Sequence, residues 1–88
     1  MYEIVLQKKA RNDLKMLIQK KAWVRKANEL IKIMQANPFQ SPPSYEKLSG
    51  DLEGKYSRRI NIQHRIVYEV CEEKKIVKIL SLWSHYEF

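Results

Sequence analysis

Cysteine is nearly absent from this 88-residue chain, where Cys71 stands alone. That excludes an internal disulfide, and with only two histidines it makes a poor zinc-ligand set. Its place in a β-type run suggests a buried strand thiol. No run of about 18 apolar residues occurs, and no apolar signal-type stretch follows Met1. A soluble, cytoplasmic protein with no membrane association is therefore expected. Internal repeats and linkers are missing too, which leaves one domain spanning residues 1–88. A chain of this size buries only roughly 60–65% of its unfolded surface, so its apolar positions are all needed for one core. Glycine and proline are few, and all five lie between Pro38 and Gly54.

Acidic residues are also scarce, ten against seventeen Lys and Arg, for a net charge of +7. Between Lys8 and Lys32 stand nine basic residues with only Asp13 and Glu29 in opposition, which accounts for the whole excess. One basic flank on a chain of pI near 9.6 suits a polyanion. A lysine-rich solvated helix face would look the same. Lysines anchor on phosphates without reading sequence, so this feature supports binding and is silent on chemistry.

Tyr2 to Leu6 is short and rich in β-branched and aromatic residues, which predicts a strand. Ala10, Leu14, Leu17 and Ile18 recur as one stripe of an amphipathic helix, and Trp23, Ala27, Leu30, Ile31 and Met34 repeat the pattern from about Ala22. The break near Lys20-Lys21 has no glycine or proline. Two helices joined so closely form an antiparallel hairpin, stripes inward and lysines outward. Asn37-Pro38 ends the second helix. Pro38 to Gly54 reads as a loop, long enough to suggest function. Three strands follow: Lys55 to Ile60, Arg65 to Cys71 and Ile76 to Trp83. Their short connections require antiparallel neighbours. The expected fold is α+β, a helical hairpin on one face of a twisted, mainly antiparallel sheet.

Side chains alternate faces along a strand. Arg59 therefore shares a face with Ser57, and Arg58 lies opposite with Tyr56 and Ile60. Arg65 shares its face with Val67 and Glu69, while Ile66, Tyr68 and Val70 point toward the helices. With register set at the Asn61-Gln63 turn, Arg59 and Arg65 converge on one open face. Two close guanidiniums repel, an arrangement favourable chiefly when they share an anion. Glu53 and Glu69 could equally satisfy them as surface arginines. Glu46 in the loop, His64 at the turn and the near-terminal His85-Tyr86 carry little meaning by themselves.

Taken together, Tyr45-Glu46-Lys47-Leu48, Leu52 through Ile60 with its Ser57-Arg58-Arg59-Ile60, His64-Arg65-Ile66-Val67-Tyr68 and His85-Tyr86 closely resemble the YoeB/Txe toxins. These belong to the RelE-like superfamily of bacterial toxin–antitoxin systems, and the resemblance covers essentially the whole chain. It implies a ribosome-dependent endoribonuclease that cuts mRNA in the decoding site and is held inactive by a YefM/Axe-type antitoxin. Carried over by motif, the catalytic residues fall on Glu46, Arg65, His85 and Tyr86, and phosphate binding falls on Arg59. Ser49 stands where the family often has a lysine, with Lys47 nearby as a substitute. Glu87-Phe88 continue past the usual His-Tyr ending. The implied partners are the antitoxin, the ribosome and mRNA, and a homodimer is allowed; no metal or cofactor is implied. Two other readings carry different expectations. A ParE-like gyrase inhibitor has no need of an acid–base pair, and a non-catalytic basic nucleic-acid-binding module would not use His85.

Overall fold

The computed structural model describes residues 1–21 and 23–84. Five strands and two helices follow one another as β1 (Glu3–Leu6), α1 (Lys8–Lys20), α2 (Val24–Ala36), β2 (Glu46–Lys47), a 3₁₀ turn (Gly50–Leu52), β3 (Tyr56–Arg59), β4 (Arg65–Cys71) and β5 (Ile76–Ser84). They form one sheet in the order β1-β5-β4-β3-β2. β1 runs parallel to β5, and the other neighbours are antiparallel.

The helices form because each carries one apolar stripe, and the sheet is covered on the face that receives those stripes. Ala10, Leu17, Ala27, Leu30 and Met34 meet Ile60, Ile66, Tyr68, Val77, Ile79 and Leu82 in one buried cluster. Two expected members of the stripes stay outside. Ile18 lies eight residues on from Ala10, about 80° round the helix at about 100° per residue, and it is exposed. Trp23 precedes α2 rather than lying in it and is also exposed.

Without glycine, the chain reverses between the helices through left-handed backbone at Lys21 (φ 53°) and Trp23 (φ 60°). That conformation costs an L-residue ~1–2 kcal/mol. The Lys21 N–H still closes α1 by donating to the Leu17 and Ile18 carbonyls.

Cys71 is exposed, against the expectation of a buried thiol. It ends β4, beside the turn at Glu72–Lys75, and alternation from Tyr68 and Val70 turns it away from the helices.

β5 is irregular where it meets β4. Arg65 pairs with Ser84 and Val67 with Ser81, so Leu82 and Trp83 together oppose Ile66, a β-bulge. The amides of Leu82 and Trp83 donate to Asp13 Oδ2 of α1 at 3.0 and 3.2 Å. Asp13 is buried and also takes Lys9 Nζ at 2.8 Å. One helix carboxylate thus satisfies two amides of the bulged strand.

Candidate functional site

The site begins with register. β3 and β4 align so that Arg59 sits opposite Arg65 and Ser57 opposite Val67, and β2 adds Glu46 opposite Ser57. Period-two alternation puts Glu46, Ser57, Arg59 and Arg65 on the face away from the helices. They line one hollow of about 240 Å³ with Ser44 and Tyr45.

Within it, Arg65 is nearly buried, and its Nη1 lies 3.4 Å from Glu46 Oε1 and 3.3 Å from Ser57 Oγ. Glu46 is half exposed. Both contacts are long for charge-assisted bonds, so the carboxylate is loosely held. Arg59 is exposed. A tetrahedral anion entering here would meet two guanidiniums and a hydroxyl, with a carboxylate at the rim. Glu69 pairs with Lys55 and Lys78 at 3.9 and 3.5 Å, and Glu46 rather than Glu69 faces Arg65.

Glu46 reaches this face because β2 exists. The two-residue strand lies inside the segment expected to be loop, held by pairing with β3 and by the Leu48 N–H donating to the Lys55 carbonyl at 2.9 Å. Alternation turns Lys47 to the other side of the ribbon. There it lines a separate hollow with Leu48, Glu53 and Lys55 and does not contribute to the Arg59–Arg65 hollow.

Arg58 is the residue that sequence reasoning missed. It is fully buried. Its Nη1 donates to the Pro43 carbonyl at 2.7 Å, and its Nη2 to the Pro38 and Gln40 carbonyls, both at 2.9 Å. The Tyr68 hydroxyl also donates to the Pro38 carbonyl at 2.9 Å. Tyr45 lies 5.2 Å beneath the guanidinium, and Phe39 packs edge-on against Tyr56. The proline-rich segment is therefore clamped onto β3 and β4 just before Glu46. Burial pushes the Tyr68 phenol up to about 12, and the nearby Arg58 charge pulls the other way.

His64 is partly buried at the turn. Its ring stacks on Trp83 at 3.6 Å and 10°, and Asn61 Oδ1 accepts the Gln63 and His64 amides at 2.8 Å. His85 and Tyr86 lie outside the described residues. Ser84, bonded to His85, is the register partner of Arg65. Among the described residues, no group of three or more His, Cys, Asp or Glu side chains could hold a metal ion, and no helix is long and apolar enough to cross a membrane.

Helices confined to one face, a parallel edge strand beside β5 and a polar hollow on the opposite face together make the architecture of RelE-like toxins. Comparison with known proteins narrows this further. The family described as "YoeB-like toxin of bacterial type II toxin-antitoxin system" matches residues 6–86, and the chain belongs to that family. Toxin YoeB of Escherichia coli K12 is 40% identical over 57 residues, which is 65% of this chain and 68% of that one. The toxin in a heterotetrameric YoeB–YefM complex from Staphylococcus aureus is 39% identical, with a TM-score of 0.82 over 98% of this chain and 99% of that one. A YoeB/ParE toxin from Agrobacterium tumefaciens superposes with a TM-score of 0.88 at 30% identity, over 96% and 99% of the two chains.

Proposed function

We propose that this chain is a ribosome-dependent endoribonuclease acting as one toxin domain over residues 1–88, cleaving mRNA in the decoding site and so stopping translation. The observation that carries the reading is the convergence of Arg59, Arg65, Ser57 and Glu46 on one hollow. RNA brings its own nucleophile, the 2′-hydroxyl. Glu46 leaves Arg65 as the phosphate enters and accepts the 2′-OH proton, and the 2′-oxygen attacks phosphorus. The bond to the 5′-oxygen breaks as His85, in its imidazolium form, protonates that oxygen. The products are a 2′,3′-cyclic phosphate and a 5′-hydroxyl.

Arg65 and Arg59 stabilise charge growing on the non-bridging oxygens, which is often the largest catalytic term. Tyr86 orients the substrate base. The covalent bond from His85 to the residue opposite Arg65 supports its membership in this group. Lys47, on the other side of the ribbon, adds positive charge at longer range instead of touching phosphate. The ribosome supplies positioning, the entropic part of catalysis. Every step uses side chains and the substrate's own hydroxyl, so the scheme needs no metal or cofactor. In this reading the toxin works in the cytoplasm, and a YefM/Axe-type antitoxin restrains it.

The test is mRNA cleavage on programmed ribosomes, with product ends mapped. Glu46→Ala and His85→Ala should each slow cleavage by at least ~10²-fold; full activity in either purified variant would refute its role. Gyrase inhibition with intact mRNA would instead support a ParE-like inhibitor. Salt-sensitive RNA binding without cleavage would support a non-catalytic binding module.

A further inference from the structure

β5 reaches Arg65 out of step with the rest of its pairing to β4. Tyr68 stands opposite Ile79, and regular antiparallel pairing from there would put Leu82 opposite Arg65. Register shifts on both sides of Val67 put Ser84 there instead. The end of β5 is thereby advanced by two residues, about 7 Å of extended chain. His85 follows Arg65's partner directly in the sequence, where regular pairing would set it three residues on.

A bulge takes amides out of the ladder, so groups beyond the ladder must hold it. Asp13 Oδ2 accepts the Leu82 and Trp83 N–H groups at 3.0 and 3.2 Å. From the β3–β4 turn, the His64 ring lies flat on the Trp83 indole, 3.6 Å between centroids and 10° between planes. The turn fixes His64 in its own right: Asn61 Oδ1 accepts the His64 amide at 2.8 Å and lies 3.3 Å from the ring Nδ1. His64 directly precedes Arg65, and Trp83 is two residues before His85. Neither ring lines the Arg59–Arg65 hollow.

We infer that the His64–Trp83 stack, with the bulge held by Asp13, is a positioning device for the cleavage step. It locks the advanced register of β5 and so sets the point from which His85 delivers its proton to the departing 5′-oxygen. His64 and Trp83 are positioning residues, since they act through His85 and not on the substrate. Without the stack, the strand end is free to slip back toward regular pairing, which draws Ser84 away from Arg65. Misplacing a reacting group by about 1 Å can cost 10²-fold in rate. The inference rests on the general-acid role proposed above for His85 and adds which residues aim it.

The experiment compares two mRNAs on programmed ribosomes, one ordinary and one with sulphur in place of the scissile 5′-oxygen. A thiolate leaves without being protonated, so the sulphur substrate bypasses the general acid. His64→Ala should lower kcat on ordinary mRNA by about tenfold or more, with KM little changed, and should recover most of that loss on the sulphur substrate. His64→Phe, which keeps a flat ring against Trp83, should restore cleavage of ordinary mRNA. If His64→Ala does not melt cooperatively, His64→Gln removes the ring at smaller loss of bulk, and the same substrate comparison decides. Full activity without the ring overturns the inference. So does an equal loss on both substrates, or a His64→Phe protein as slow as His64→Ala. His85→Ala separates this from the reading beneath it. Were His85→Ala fully active on ordinary mRNA, the general-acid assignment would fail as well; were it rescued by sulphur while His64→Ala was not, the positioning inference alone would fail.

Discussion

At Arg58 a guanidinium is taken wholly out of water and given three backbone carbonyls in place of a carboxylate. Planar, forked donors can bridge Pro38, Gln40 and Pro43 at once, and a lysine's point charge cannot. Arg58→Met removes the donor to the Gln40 and Pro43 carbonyls, while Pro38 keeps the Tyr68 hydroxyl, and an unsatisfied acceptor costs about 1–3 kcal/mol. The variant should lose at least ~2 kcal/mol of stability in urea unfolding, and Arg58→Lys should not restore it. Tyr68 shares the Pro38 carbonyl, and its raised ionisation, up to about 12, has a definite sign. The unfolded phenol, near its ordinary value of about 10, loses its proton first. Its contribution to stability is therefore complete below about pH 10 and lost as pH rises through about 12. Thermal melts from pH 9 to 12 should fall more steeply for wild type than for Tyr68→Phe.

Among the elements, β5 depends most on a partner outside the sheet. Asp13 of α1 accepts the two amides of its bulge, and hydrogen bonds to a charged group are worth about 1.5–3 kcal/mol. Asp13→Ala should cost about 2–3 kcal/mol, and hydrogen exchange should speed first at Leu82 and Trp83. Asp13→Asn, which keeps a carbonyl acceptor, should recover part of that protection. The regular elements were legible in the chain because periodicity reports them. β4 runs from Arg65 to Cys71 as the alternation predicts, α2 stops at Ala36 before Asn37-Pro38, and the Arg59–Arg65 pairing follows from the Asn61–Gln63 turn. What periodicity cannot report is a tertiary partner. β2 is two residues long and exists only because β3 lies beside it. Asp13 and Arg58 look like surface charges until distant backbone groups are brought to them. Cys71 departs from expectation because an apolar strand run does not show which residue ends it or which face that residue takes.

Across the whole molecule, positive charge occupies both sides of the sheet. The nine basic residues from Lys8 to Lys32 are all exposed on the helical layer, while the exposed Arg59 and the nearly buried Arg65 lie on the opposite face. The helical lysines should contribute to ribosome affinity without touching the chemistry. Replacing Lys15 and Lys26 with Gln should weaken binding whatever the mRNA sequence, lower the salt slope by about one per lysine, and leave the cleavage position unchanged. A body only 35 × 28 × 26 Å with cationic flanks front and back is ill suited to lying along a free strand, where one flank would always face away. It gains most inside an anionic crevice, enclosed from two directions like a key in a lock.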